Sequence, residues 1–253
     1  GLYDWMSYAN GEFGFVNIPI IALLFTPFSF SAPVIAQMSM IILGILAIVA
    51  AYYLLVRLTQ ITGWKKMVLA GLFFINGPLY YSLREGNLTH FTLLLLILAL
   101  FCIKTRRDIW LGISLAIATL IKIPLFLLGI YYLMRGRWRV ILGFSTAILV
   151  IVGASLLLFG VDLHITWFHQ CIQSSVNKPL GAYNVQSVDG FLVRLLTDNP
   201  LTNAQPVEMG WNFKVIRYIL NSFLIGSVIW IFWRSKPPLT PEVENLEFSI
   251  ILC

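Results

Sequence analysis

Charge is what this chain carries least of. Only 11 % of its 253 residues are Asp, Glu, Lys or Arg, against about a quarter in a soluble globular domain. With 59 % hydrophobic residues and a mean hydropathy of +0.86, it has more apolar surface than a globular core can bury. An ordinary water-soluble fold is thereby excluded. Cysteine is scarce too: Cys102, Cys171 and Cys253 show neither metal-ligand spacing nor an even-numbered disulfide framework. They read as small apolar filler. No P-loop, GxGxxG, HExxH or GxSxG is present. Outside the basic turns described next, no carboxylates cluster as a divalent cation would need, so no metal and no cofactor is expected.

What the chain does have is long apolar runs punctuated by bases. Arg57, Lys65 and Lys66 form one cluster, Lys104, Arg106 and Arg107 a second, Arg135, Arg137 and Arg139 a third, and Arg234 with Lys236 a fourth. A net charge of +6 gathered in one patch would point to nucleic acid. Spread over turns between apolar runs, it is instead the positive-inside signature of a polytopic membrane protein. The expected fold is therefore all-α, with about eight transmembrane helices in one membrane domain spanning 1–253. Crossings are predicted over 32–56, 66–83, 88–103, 138–159 and 213–232, with another from 248. Residues 1–31 read as an exoplasmic loop holding an apolar stretch too short to span, and 161–212 as a long exoplasmic loop with helical parts.

Residues 109–134 need separate treatment. One helix would place the third basic cluster outside, whereas a short broken hairpin turning at Lys122-Ile123-Pro124 keeps it inside. Proline disfavours helix at the residue before it, and a lysine at mid-bilayer costs roughly 2.5–3.5 kcal/mol on insertion scales. The hairpin is the expectation. In this topology Asp4, Glu12, Glu85, Asp162, Asp189, Asp198 and Glu208 all fall outside, although acids barely influence orientation. Lys214 and Arg217 depart from the pattern and read as snorkelling side chains.

The chemistry is then sought on the outer face. Lys122 reads either as a cation at the floor of an outward cavity, suited to an anionic group, or as an interfacial snorkeller. In Arg84-Glu85-Gly86-Asn87 the charged pair either lines a cavity or solvates a turn, and Asn87 is placed to cap the next helix. Tyr183-Asn184-Val185-Gln186-Ser187 is a polar turn before an amphipathic helix that sets Phe191, Leu192 and Leu195 on one face and Arg194 off it. His164, Trp167, Phe168 and His169 suggest a second amphipathic helix on the membrane surface, with the histidines interfacial.

At these residues the chain resembles glycosyltransferase family 87. Asn17-Ile18-Pro19 through Thr26-Pro27 looks like the proline-bracketed segment after that family's first outer loop, and Gly86-Asn87 before a leucine-rich run is similar to its Gly-Gln/Asn motif. Ala118-Thr119-Leu120-Ile121-Lys122-Ile123-Pro124-Leu125 resembles its lysine–proline turn, and Arg135-Gly136-Arg137-Trp138-Arg139 the arginine-rich turn that follows. Asn184-Val185-Gln186-Ser187 with Gly190 and Arg194 resembles an Asn-Gln-Ser…Gly…Arg segment, here with Val185 inserted. Each motif is short, and the match lies in their order and spacing.

The resemblance implies an integral-membrane hexosyltransferase of the C superfamily, similar to mycobacterial α-1,2-mannosyltransferases. Such an enzyme moves a sugar, here expected to be mannose, from a polyprenyl-phosphate donor to a lipid or glycan acceptor in cell-envelope biosynthesis. The expected location is a bacterial cytoplasmic membrane, with an inverting, metal-independent active site facing outward. Substrate contacts are expected from Arg84, Glu85, Asn87, Lys122, Asn184, Gln186, Ser187 and Arg194. The family's general base lies in its first outer loop, upstream of a stretch like Leu2-Tyr3-Asp4. The chain is therefore expected to be a piece of a longer protein without that base, and Asp4 is the nearest carboxylate present. Tyr3, Trp5, Tyr8 and Tyr183 could stack on sugar faces. A transporter or lipid flippase is the competing reading, since broken helices with charged turns also build transport sites. A non-catalytic scaffold is a third.

Overall fold

A computed structural model describes residues 16–173, 179, 187–197, 207, 210–234 and 240–252. The chain divides into two units, a larger one of Ile18–Leu158 with Pro237–Cys253 and a smaller one of Gly1–Asn17 with Phe159–Lys236. All regular elements among the described residues are helical.

In the larger unit a 3-10 helix, Pro19–Leu24, and a single α-turn, Thr26–Ser29, lead into α1, Pro33–Thr59. Pro33 lies in its first turn, where the missing N–H is harmless, and Gln60 closes it in the left-handed conformation at φ 53°. The single crossing predicted over 66–83 is in fact two helices, α2 (Trp64–Ile75) and α3 (Gly77–Arg84). Between them Asn76 is extended, and its side chain accepts from Leu79 N at 3.0 Å. Pro78 cannot continue a helix begun upstream, because it lacks an N–H and crowds the carbonyl four residues back. Asn76 caps the helix that restarts.

Next come α4 (Thr89–Lys104) and α5 (Asp108–Ile121). The buried residues of α5, namely Leu111, Gly112, Leu115, Ala116, Ala118, Thr119 and Ile121, follow the three- and four-residue spacing of one helix face. The break expected at Lys122 is present. Lys122 is extended (φ −131°, ψ 91°), followed by a 3-10 turn, Ile123–Leu125, and α6, Phe126–Met134. Asp108 at the start of α5 meets Arg137, just beyond α6, at 2.8 Å. The two short helices therefore run side by side in opposite directions. Helix α7, Trp138–Trp167, begins here and lies close against α5. A Cβ on Gly112 would collide with the Val140 carbonyl, and one on Gly143 with that of Ile109.

The second and third basic clusters, read above only as topology signals, have a second job. Arg137 bonds both Asp108 and Glu244 (2.8 and 2.9 Å), Arg106 stands 3.8 Å from Glu244, and Arg135 bonds Glu247. The Tyr131 hydroxyl donates to Glu247 at 2.7 Å. Both glutamates belong to α10, Pro241–Leu252, whose first turns are thus clamped to the α4–α5 and α6–α7 turns. The Glu244 side chain is 1 % exposed, and burial raises its carboxyl above the ordinary range while Arg137 and Arg106 pull the other way.

In the smaller unit, Gly160 breaks regular helix geometry (φ 75°, ψ 167°), although helical bonding runs on to Trp167 and a π-helix covers Phe168–Gln173. The predicted end of the crossing at Phe159 thus coincides with a kink, and the start of the expected outer loop is helical. Trp167 Nε1 donates to the Val16 carbonyl at 3.0 Å. Helix α8, Val188–Leu196, packs on α9, Trp211–Arg234.

Among the described residues, three helices are long and apolar enough to cross a membrane: Pro33–Thr59, Trp138–Gln173 and Trp211–Trp230. The other predicted crossings are divided by the breaks at Asn76 and Lys122 or stay short, as α4 does at 16 residues. That is below the roughly 20 residues one helix needs.

Candidate functional site

The residues predicted as substrate contacts fall in both units. In the larger one, Arg84 ends α3 and Glu85 follows it, their side chains 3.4 Å apart and 67 % and 44 % exposed. An exposed pair of this kind contributes little to stability, so both groups remain open to a ligand. They line a groove of about 450 Å³ with Phe25, Phe28, Gln37 and Met40. Asn87 stands one residue before Leu88, the N-cap of the next helix, and its Oδ1 accepts from Thr89 N (3.2 Å) and from the Thr89 hydroxyl (2.9 Å). With that oxygen engaged, a contact from Asn87 to a substrate falls to its amide NH₂. Lys122 is half-buried at the α5–α6 break, with no ion pair or side-chain hydrogen bond among the described residues.

The sequence reading missed the support beneath this turn. Ser82 and His90, 2 % and 1 % exposed, are joined Oγ to Nδ1 at 2.9 Å, and Ser82 Oγ also reaches the Asn87 carbonyl at 2.8 Å. In the sequence His90 is only one residue near the start of the crossing predicted over 88–103. Its spacing from Ser82 carries no signal, because the contact depends on how two helices meet across the turn.

A second apolar chamber of about 380 Å³ opens at the Asn76 break, between α1, α2 and α3. Its walls include Val49, Tyr52, Phe73, Leu79 and Leu83, and Leu83 also faces the Arg84–Glu85 groove.

In the smaller unit, Ser187 is the N-cap of α8, its hydroxyl accepting from Gly190 N at 3.1 Å. Leu192 and Val193 are buried against Phe213, with Val188, Val207 and Leu220 around them. Asp189 pairs with Arg217 of α9 at 3.1 Å. Arg217, expected to snorkel, instead fastens α8 to α9. The predicted apolar face of α8 is also corrected. Leu192 is buried, but Phe191 and Leu195 are 54 % and 64 % exposed, because the face packed on α9 is that of Leu192 and Val193. Phe191 turns instead to a groove of about 620 Å³ lined by Ser187, Val188, Arg194, Leu220, Phe223 and Leu224. That groove sets a guanidinium and a hydroxyl beside the apolar wall of a helix long and apolar enough to cross a membrane.

Asp4, Asn184 and Gln186 lie outside the described residues, as do Tyr3, Trp5, Tyr8 and Tyr183. Among the described residues no three His, Cys, Asp or Glu side chains gather as a metal-binding set. A comparison with curated proteins finds no match, and a comparison with solved structures finds none either. The family model of glycosyltransferase family 87 matches residues 15–246, which takes in both units, the Lys122 break and the Ser187–Arg194 groove. With that extent of match added to helices fit to cross a membrane, the chain belongs to glycosyltransferase family 87.

Proposed function

We propose that this membrane glycosyltransferase moves a hexose, in the first instance mannose, from a polyprenyl-phosphate donor to a lipid or glycan acceptor. The reaction is placed on the outer face of a bacterial cytoplasmic membrane, in cell-envelope biosynthesis. The observation that supports this donor is the Ser187–Arg194 groove with its wall of Leu220, Phe223 and Leu224. A lipid phosphate has the matching two-part chemistry: its anionic head suits a cation and a hydroxyl, and its tail suits an apolar helix facing lipid.

The proposed displacement inverts the anomeric carbon and needs no metal. A carboxylate takes the proton of the acceptor hydroxyl as its oxygen attacks that carbon. The bond from the carbon to the phosphate oxygen breaks, and the polyprenyl phosphate leaves with the electron pair. Arg194 faces the negative charge growing on that phosphate. Lys122, half-buried at a helix break, is the corresponding cation of the larger unit, and Arg84, Glu85 and Asn87 offer contacts to a hydroxyl-bearing head group. Asn184 and Gln186 join them as candidate substrate contacts, and Asp4 is the candidate base. Membership of a glycosyltransferase family weighs against the transporter or flippase reading.

The test is transfer by the full-length protein in lipid, given radiolabelled polyprenyl-phosphate mannose and membrane-lipid acceptors. Transfer is expected, and Arg194→Gln should lower kcat/KM for the donor by about a hundredfold while Arg194→Lys retains more. If no polyprenyl-linked sugar is transferred, the donor assignment is wrong.

A further inference from the structure

Ser82 ends its hydrogen bonding in a way that assigns the protons around it. A serine hydroxyl has one hydrogen to give. Its Oγ lies 2.8 Å from the Asn87 carbonyl oxygen and 2.9 Å from His90 Nδ1. Both contacts are hydrogen bonds only when Ser82 donates to the carbonyl and His90 donates Nδ1–H to Ser82. The Asn87 N–H in turn donates to the Ser82 carbonyl at 2.9 Å. Both backbone groups of Asn87 are therefore held by Ser82, with Gly86 at φ 65° completing the turn between them.

In the neutral ring this arrangement leaves His90 Nε2 as a bare acceptor, buried and without a hydrogen-bond partner. It faces Gly44 of α1, where an added Cβ would stand 2.9 Å from Nε2 and collide with Leu83. A buried acceptor with no donor costs free energy, and an apolar side chain of similar shape would avoid that cost. A histidine at position 90 is thus a poor choice for packing alone. Its gain is the Nδ1–H bond to Ser82.

We infer that His90 is a positioning residue, which holds the Arg84-Glu85-Gly86-Asn87 turn in the geometry that receives a head group carrying both phosphate and hydroxyls. Arg84 supplies the donor for the phosphate and Glu85 the acceptor for hydroxyls, side by side on one groove wall. The inference rests on the glycosyltransferase reading of that turn. Gly44 belongs to the same brace, since it admits the ring against α1.

The experiment compares His90→Leu, His90→Asn, Ser82→Ala, the Ser82→Ala/His90→Leu double variant and a Thr92→Val control in the full-length protein in lipid. Asparagine keeps an N–H near the Nδ1 position, and Thr92 is a buried polar neighbour on the same helix. Hydrogen exchange at the Asn87 amide reports the turn directly, and steady-state transfer separates KM from kcat. His90→Leu and Ser82→Ala should each speed exchange at Asn87 by about tenfold and raise KM by about tenfold or more, with a smaller change in kcat. The double variant should do no more than either single change. His90→Asn should restore most of both readouts, and Thr92→Val should disturb neither.

Unchanged exchange at Asn87 in His90→Leu would overturn the brace. Faster exchange with an unaltered KM would overturn its role in substrate positioning. Absence of transfer by the unmodified protein from every polyprenyl-linked sugar would overturn the functional reading and the substrate role together, while exchange at Asn87 would still decide whether His90 holds the turn.

Discussion

Arg135 and Arg137 show how much one residue type can hide. In the sequence they are bases in a turn and mark orientation. In the fold they meet carboxylates of Glu247 and Glu244 more than a hundred positions away. Arg217 is a similar case, because Asp189 lies on a different helix. Such pairs leave no trace in local spacing, since they are made by helices packing rather than by neighbours along the chain. Removing one partner of a buried pair leaves the other charge uncompensated. Arg137→Met leaves buried Glu244 only Arg106, at 3.8 Å, and should destabilise the protein by about 3–5 kcal/mol, while Glu244→Gln leaves Arg137 its bond to Asp108 and should cost less, as read by thermal unfolding in lipid or detergent. The pH dependence has a definite sign. Burial raises the Glu244 carboxyl, so the folded chain binds that proton more tightly than the unfolded one. Its contribution to stability is greatest below the unfolded value near pH ~4.3 and declines as pH climbs through the folded one. Acidifying from neutrality should favour the native protein more than the Glu244→Gln variant, and coincident pH profiles of Tm would refute this.

Among elements, the two helix breaks differ in how they could be seen. Lys122-Ile123-Pro124 was legible because a charge and a proline coincide in an apolar run, and insertion of an unbroken helix would misplace three arginines. Asn76-Gly77-Pro78 holds an equally physical signal, a capping side chain before a helix-starting proline, but the surrounding run is long enough to pass for a single crossing. Helix α8 was found from its polar turn and amphipathic pattern. Its buried face was not, because the pattern offers several apolar sides and only α9 selects one. Close packing of α5 on α7 is likewise invisible in the sequence, where Gly143 and Gly153 look alike. Gly143→Ala should cost at least about 1–3 kcal/mol by overpacking, because its Cβ meets a backbone carbonyl. Gly153→Ala, with nothing within 4 Å of the added atom, should be tolerated. Thermal shifts of the two variants on the same helix provide the comparison, and equal losses would remove Gly143 from the contact.

For the whole molecule, the basic clusters predict one orientation in the bilayer. Single cysteines at Lys65 and at Arg107 should react with impermeant reagents only from the cytoplasmic side, and one at Arg84 only from outside. Labelling in the reverse sense would turn the proposed active face inward. By itself the sequence determined that this is a helical membrane protein, where a hairpin breaks, and which family it belongs to. These depend on composition, apolar length and short motifs in order, which are properties of the chain read locally. Only the tertiary structure decided which arginines neutralise Glu244 and Glu247, which face of α8 is covered, and why His90 is buried beside Ser82. Those outcomes depend on the distance between side chains on different helices, and that distance is set when the helices pack.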